Sequence, residues 1–172
     1  LNGTVGAGAL PSIGILRGEN ITAPSFGNIS VAFNNNVLIN SRSGGTGKHY
    51  AIGNRGTTPT GGWGATSTNY NFYVSSNAGT IGLWNATDCP ISTWRTNTTG
   101  DISSLSAVSS AISDHSNINV ANLFTDITNG DLHIKANQPE AWFVHGKGTQ
   151  MTLASDIDGD IRSTAVNTGS TE

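Results

Sequence analysis

Cys89 has no second cysteine to meet, so no internal disulfide braces this chain of 172 residues. Charge is equally scarce. Only 11% of the residues are charged, and the formal net charge is -3. The eight Lys and Arg are scattered, with no cluster to neutralise a row of phosphates, which argues against nucleic acid as a partner. No apolar run approaches the roughly 18 residues that a membrane-spanning helix needs. The first residues, Leu-Asn-Gly-Thr, have neither the basic start nor the apolar core of a signal peptide. The chain therefore reads as a mature or excised piece of a longer precursor.

What fills the chain instead is Gly, Ser, Thr and Asn, nearly half of all residues. Such a composition borders on low complexity, but disorder usually couples low hydrophobicity with high net charge, and the charge here is small. The apolar residues are also regularly spaced. In Asn28-Ile-Ser-Val-Ala-Phe-Asn-Asn-Asn-Val-Leu-Ile-Asn40, Ile29, Val31 and Phe33 alternate with small residues and point to one face of a strand. Three Asn turn the chain, since Asn tolerates left-handed backbone, and Val37 and Ile39 resume the alternation. Stacked Asn side chains can also bond to one another along a ladder.

Strands this short cannot bury a face alone and need neighbours above and below, the logic of a solenoid. Further strands are expected at 49–52, 69–75, 80–84, 118–120, 132–134 and 141–144. In the 69–75 strand, Tyr70, Phe72 and Val74 share one face and Asn71 and Tyr73 the other. The stretch 41–68 is expected to be mostly a long Gly/Ser/Thr-rich loop. Pro90 can open a short helix that carries Ile91 and Trp94 on one side and stops at Gly100. Leu105, Val108 and Ile112 have helical spacing, although short strands compete with that reading.

Residues 69–172 then show four motifs in order: Asn69-Tyr-Asn-Phe-Tyr-Val74, Trp94-Arg-Thr-Asn-Thr-Thr-Gly-Asp101, Asn122-Leu-Phe-Thr-Asp-Ile-Thr-Asn-Gly-Asp-Leu-His-Ile134 and Asp156-Ile-Asp-Gly-Asp-Ile-Arg162. Together they resemble the C-terminal coils of right-handed parallel β-helix proteins secreted by Bacteroidetes and related bacteria. Two departures stand out. Gln138-Pro-Glu-Ala-Trp-Phe-Val-His-Gly146 is bulkier than the family's small-residue step, and the chain stops at Glu172 where relatives continue into a closing strand. The resemblance implies an all-β fold, a right-handed parallel β-helix in one segment over 1–172. It would have coils of about 20 to 25 residues, one short helix and long Gly/Ser/Thr-rich loops. Ile29, Val31, Phe33, Val37, Ile39, Phe72, Leu123, Phe124, Leu132 and Ile134 are expected to supply much of the interior.

Candidate chemistry is thin. Asp156, Asp158 and Asp160 alternate beside Gly159, and close acidic oxygens on a turn suit calcium. The Gly precedes the third acid, unlike an EF-hand loop, so a polar turn neutralised by Arg162 is the competing reading. The four His, at 49, 115, 133 and 145, lack zinc-like spacing. Trp63, in a Gly-rich loop, could stack on a sugar, whereas Trp84 and Trp94 read as packing residues. Asn-x-Ser/Thr sequons begin at Asn2, Asn20, Asn28, Asn85 and Asn97.

No nucleophile motif frames any Ser, and the acids are sparse. The expectation is a non-catalytic extracellular or cell-surface protein, a structural or adhesive segment of a fibre, sheath or stalk. Its partners would be copies of itself, or other segments of its parent, joined end to end. A carbohydrate-binding module that takes glycans is the alternative. A polysaccharide lyase or glycosidase fragment is a further one.

Overall fold

The computed structural model describes residues 1, 3–4, 6–17, 32–55, 68–77, 79–108, 115–116, 119–144, 148, 155, 158–159 and 161. In chain order these form β1 (Ser12–Arg17), β2 (Phe33–Asn34), β3 (Val37–Asn40), β4 (His49–Asn54), β5 (Thr68–Asn69), β6 (Phe72–Ser75), β7 (Gly82–Trp84) and β8 (Thr87–Cys89). Helix α1 (Ile91–Thr98) follows, then β9 (Leu105–Val108), β10 (His115–Ser116), the single turn α2 (Val120–Leu123), β11 (Phe124–Asp126) and β12 (Asp131–Ile134). A 3-10 turn closes the series at Pro139–Phe143.

These strands overturn the expected β-helix. They fall into four separate sheets, ordered β1-β4-β7-β8, β10-β9-β6-β3, β11-β12 and β2-β5, and among the described residues no sheet closes or runs the length of the chain. Direction is not uniform either: β7 pairs antiparallel with β8, and β11 with β12. The physical reason is local. Short hairpin connections, Asn85-Ala86 and the turn after Asp126, send the chain straight back, whereas parallel pairing needs a long crossover. Asn85 and Ala86 both sit at positive φ, 45° and 67°, which is how so tight a reversal is made.

Elsewhere the strands pair in parallel, with long crossovers except between β9 and β10. Val37 lies beside Phe72, Phe72 beside Leu105, Ser12 beside His49 and Ile52 beside Gly82. The short pair β2 and β5 sets Asn34 beside Asn69. Immediately after them come Asn35 (φ 59°) and Tyr70 (φ 56°), two left-handed corners in consecutive layers. The expected Asn turn is therefore present. The expected single strand over 69–75 is not, because the Tyr70 corner splits it into β5 and β6.

Burial follows from that split. Phe72 and Val74 enter one core cluster with Leu123 and Phe124, while Tyr73 enters another with Phe33, Ala51, Ile52, Ile81, Cys89, Ile91 and Trp94. Strand β6 is thus buried on both faces, and Tyr70, at the corner, is 36% exposed rather than aligned with Phe72. Trp94 meets Trp84 edge-on at 5.3 Å and Tyr73 at 6.5 Å between ring centroids. Gly82 is needed beneath that ring: a Cβ there would stand 2.9 Å from the Ile52 carbonyl oxygen and 3.4 Å from the Trp94 ring. Burying one such aromatic or branched side chain contributes about 1.5–3 kcal/mol.

Of the expected interior, Phe33, Phe72, Leu123 and Phe124 are buried and Ile39 packs partly buried against the second cluster. Val37, Leu132 and Ile134 are exposed. Val37 opens its strand at the rim of a cleft. From the β11-β12 hairpin only Phe124 reaches the core, so Leu132 and Ile134 flank a face that no described layer covers. Ile29 and Val31 lie outside the described residues.

Helix α1 matches the reading from Pro90, whose φ of -68° leads into it, and it buries Ile91, Trp94 and Thr98. It ends on left-handed Thr99 (φ 54°), one residue before the expected Gly100. Three other expectations fail. Of the strand expected over 118–120, Asn119 is instead the N-cap of α2 and Val120 its first residue. The helical spacing after Ser103 gives strand β9, because Leu105 pairs beside Phe72 and its carbon skeleton packs on the second cluster. The expected strand over 141–144 is instead the 3-10 turn, which Pro139 starts.

Candidate functional site

The most concentrated chemistry in the described residues is buried. Asp101 is fully buried, at φ 57°, just after α1. Four side chains donate to its carboxylate. The Tyr73 hydroxyl lies 3.1 Å from both oxygens, Trp94 Nε1 donates at 2.8 Å and Asn71 Nδ2 at 3.0 Å. The Ser104 hydroxyl supplies the fourth bond. Arg95 donates from Nε to the Asp101 carbonyl at 3.0 Å and from its other end to the Ser104 carbonyl. The donors come from β6, α1 and the turn before β9, so one carboxylate ties three separate stretches of chain together.

Burial pushes the Tyr73 phenol well above its ordinary value, and the Asp101 charge and hydrogen bond push it further. Tyr73 is fully buried, and its phenol is held neutral. The same holds for Cys89, whose thiol burial pushes up to about 12. A thiolate nucleophile needs the opposite shift.

Two further titratable groups sit at the surface. Asp88 accepts from Tyr50 Oη at 2.8 Å and from Lys48. Partial burial works to raise the Asp88 carboxyl, but the Lys48 and Tyr50 hydrogen bonds outweigh it and the net shift is downward. Lys48 and Asp88 are both about half exposed, so their ion pair is worth little. On the other side of the chain, His133 donates from Nδ1 to Asp131 at 2.5 Å and from Nε2 to Asp158 at 2.7 Å. Hydrogen bonds to Asp131 and then Asp158 raise its pKa to about 9.

That contact places one of the three acids picked out for calcium. Asp158 is engaged by the His133 imidazole; Asp156 and Asp160 lie outside the described residues, as does Trp63. Among the described residues no group of three or more His, Cys, Asp or Glu converges on a point where a metal ion could sit. His133 is exposed, and its two carboxylate partners were not foreseen.

The one described cleft lies over the stacked corners. It has a volume of about 80 Å³ and is lined by residues from the Asn35, Tyr70 and Ser103 turns together with Val144 and Gly148. Its floor is fixed by Asn36, whose Nδ2 donates to the Asn34 carbonyl at 2.8 Å and to Asn71 Oδ1 at 3.1 Å. Asn-to-Asn bonding between layers, expected from the sequence, is realised there.

No protein-family model matches the chain, and neither a curated protein nor a solved structure matches it.

Proposed function

We propose that the chain is a non-catalytic structural or adhesive part of an extracellular surface, a segment of a fibre, sheath or stalk. It would work by stacking end to end with copies of itself or with other segments of its parent protein. The observation that carries this reading is where the buried polar chemistry is spent. Asn40 Nδ2 donates to the Tyr50 carbonyl at 2.8 Å and to the Ser12 carbonyl at 3.1 Å. Asn71 Nδ2 donates to the Phe33 carbonyl at 2.8 Å, and the Ser75 hydroxyl to the His49 carbonyl at 2.6 Å. Each of these side chains donates to a backbone carbonyl on another strand, which is scaffold work. Asp101, the most buried carboxylate, does the same with side chains.

Two features support assembly. The larger sheets end on strands β1, β8 and β10, each paired on one side among the described residues, and on β3, whose outer side meets the first residues through the Leu1 amine and the Ile39 carbonyl; open edges recruit further strands. The low charge also leaves little repulsion between copies. The motif resemblance to secreted proteins supports the extracellular setting.

Light scattering on the purified chain over a range of concentrations, with electron microscopy of material taken from cells, tests the reading. Growth of the scattering mass with concentration and rods or fibres in the native sample are expected. A monomer at every concentration, with no filament in the native material, would overturn it.

A further inference from the structure

Asn35 and Tyr70 occupy equivalent left-handed corners in adjacent layers, and the cleft opens between them and the turn at Ser103. Among the described residues, none that lines the cleft is charged. An ionic ligand would lose hydration there without meeting a counter-charge, which is costly. What the cleft offers is a partly exposed tyrosine ring, the apolar flanks of Val37 and Val144, and neutral amides and hydroxyls. The hydroxyls of Tyr70 and Ser103 have no hydrogen-bond partner among the described residues. Asn36 and Asn71, by contrast, are tied into the layer bonds and hold the floor rigid.

We propose that this cleft binds a neutral saccharide. A sugar ring has an apolar face of C–H groups and a rim of hydroxyls that both donate and accept. The Tyr70 ring matches the face, and the Tyr70 and Ser103 hydroxyls, which likewise donate and accept, match the rim. The cleft is small, about 80 Å³, so it admits part of one sugar unit, with the rest of a glycan running out over the surface. The site uses residues other than Trp63, and it does not depend on assembly.

Calorimetric titration of the whole chain tests it. The probes are glucose, galactose, N-acetylglucosamine and their β-linked dimers, with glucuronate and tri-alanine as the charged and peptide comparisons. Saturable binding of at least one neutral sugar is expected. Tyr70→Asn removes the ring and keeps a residue that accepts the left-handed corner, so it should weaken binding tenfold or more without moving the melting temperature. Ser103→Ala, which removes only a hydroxyl, should weaken it about threefold. The proposal fails if no neutral sugar saturates the chain, or if glucuronate or tri-alanine binds as tightly as the best sugar. It also fails if both variants bind like the parent.

Discussion

Replacing Asp101 with Asn is the sharpest test of how the layers are joined. The side chain keeps its shape, and Asn accepts the positive φ, so backbone strain does not enter. Hydrogen bonding does. Oδ1 accepts from Asn71, Tyr73 and Ser104, and Oδ2 from Trp94 and Tyr73. An amide nitrogen in either place sets donor against donor. At least one buried donor then loses its acceptor, and the amide N–H groups find none. Each unsatisfied buried group costs about 1–3 kcal/mol, so two give about 2–6 kcal/mol. For a chain of this size that corresponds to a melting temperature lower by roughly 4–24 °C. Asp88→Asn is the control, since its ion pair with Lys48 is half exposed and should cost less than about 1 kcal/mol. Urea unfolding of the two variants beside the parent measures both. An Asp101→Asn loss below about 1 kcal/mol, no larger than the control, would refute the network.

Phe33 and Phe124 belong to different core clusters, so Phe33→Ala and Phe124→Ala should each cost about 3–5 kcal/mol and add nearly independently in the double variant, as read by chemical denaturation. NMR titration should find His133 ionising near pH 9, and Asp158→Asn should bring that value down toward the ordinary 6.5. Because the folded value lies above the unfolded one, the stabilisation from this pairing is complete below pH 6.5 and fades as pH rises through about 9. Tyr73 is also raised in the fold, so an unfolded chain releases that proton first and stability should fall as pH climbs above 10; Tyr73→Phe should flatten this alkaline limb.

The sequence carried the local features well and the joins between them poorly. The Asn35 corner, the β4 strand at His49 and the helix after Pro90 rest on neighbouring residues, and each was legible. Tyr70 misled because alternation cannot see a single left-handed residue, and that residue decides whether a strand continues. The spacing of Leu105, Val108 and Ile112 suits a helix in isolation; the parallel place beside β6 decided otherwise. Leu132 and Ile134 have the right chemistry for an interior and no layer to make one. The β-helix expectation failed for a related reason: the reversals at Asn85-Ala86 and after Asp126 return the chain antiparallel, and the alternation within each strand says nothing of the direction of the next. Asp101 stood inside a quoted motif seven residues after Trp94, so that pair was visible. Its other donors, Tyr73 and Asn71, lie about thirty residues earlier, and nothing in the local pattern pointed to them.

Cys89 packs among Trp94, Ile81 and Ile52 with no solvent contact and a thiol that burial keeps protonated. A reagent that attacks thiolates therefore cannot touch it while the first core is shut. The chain thus contains its own clock: with no other cysteine to confuse the signal, the rate at which an alkylating reagent consumes the thiol reports how often that core opens. When opening is fast compared with the reaction, the rate gives the free energy of opening. When it is slow, the rate gives the opening step itself. Copies joined end to end and free copies would keep different time on the same clock.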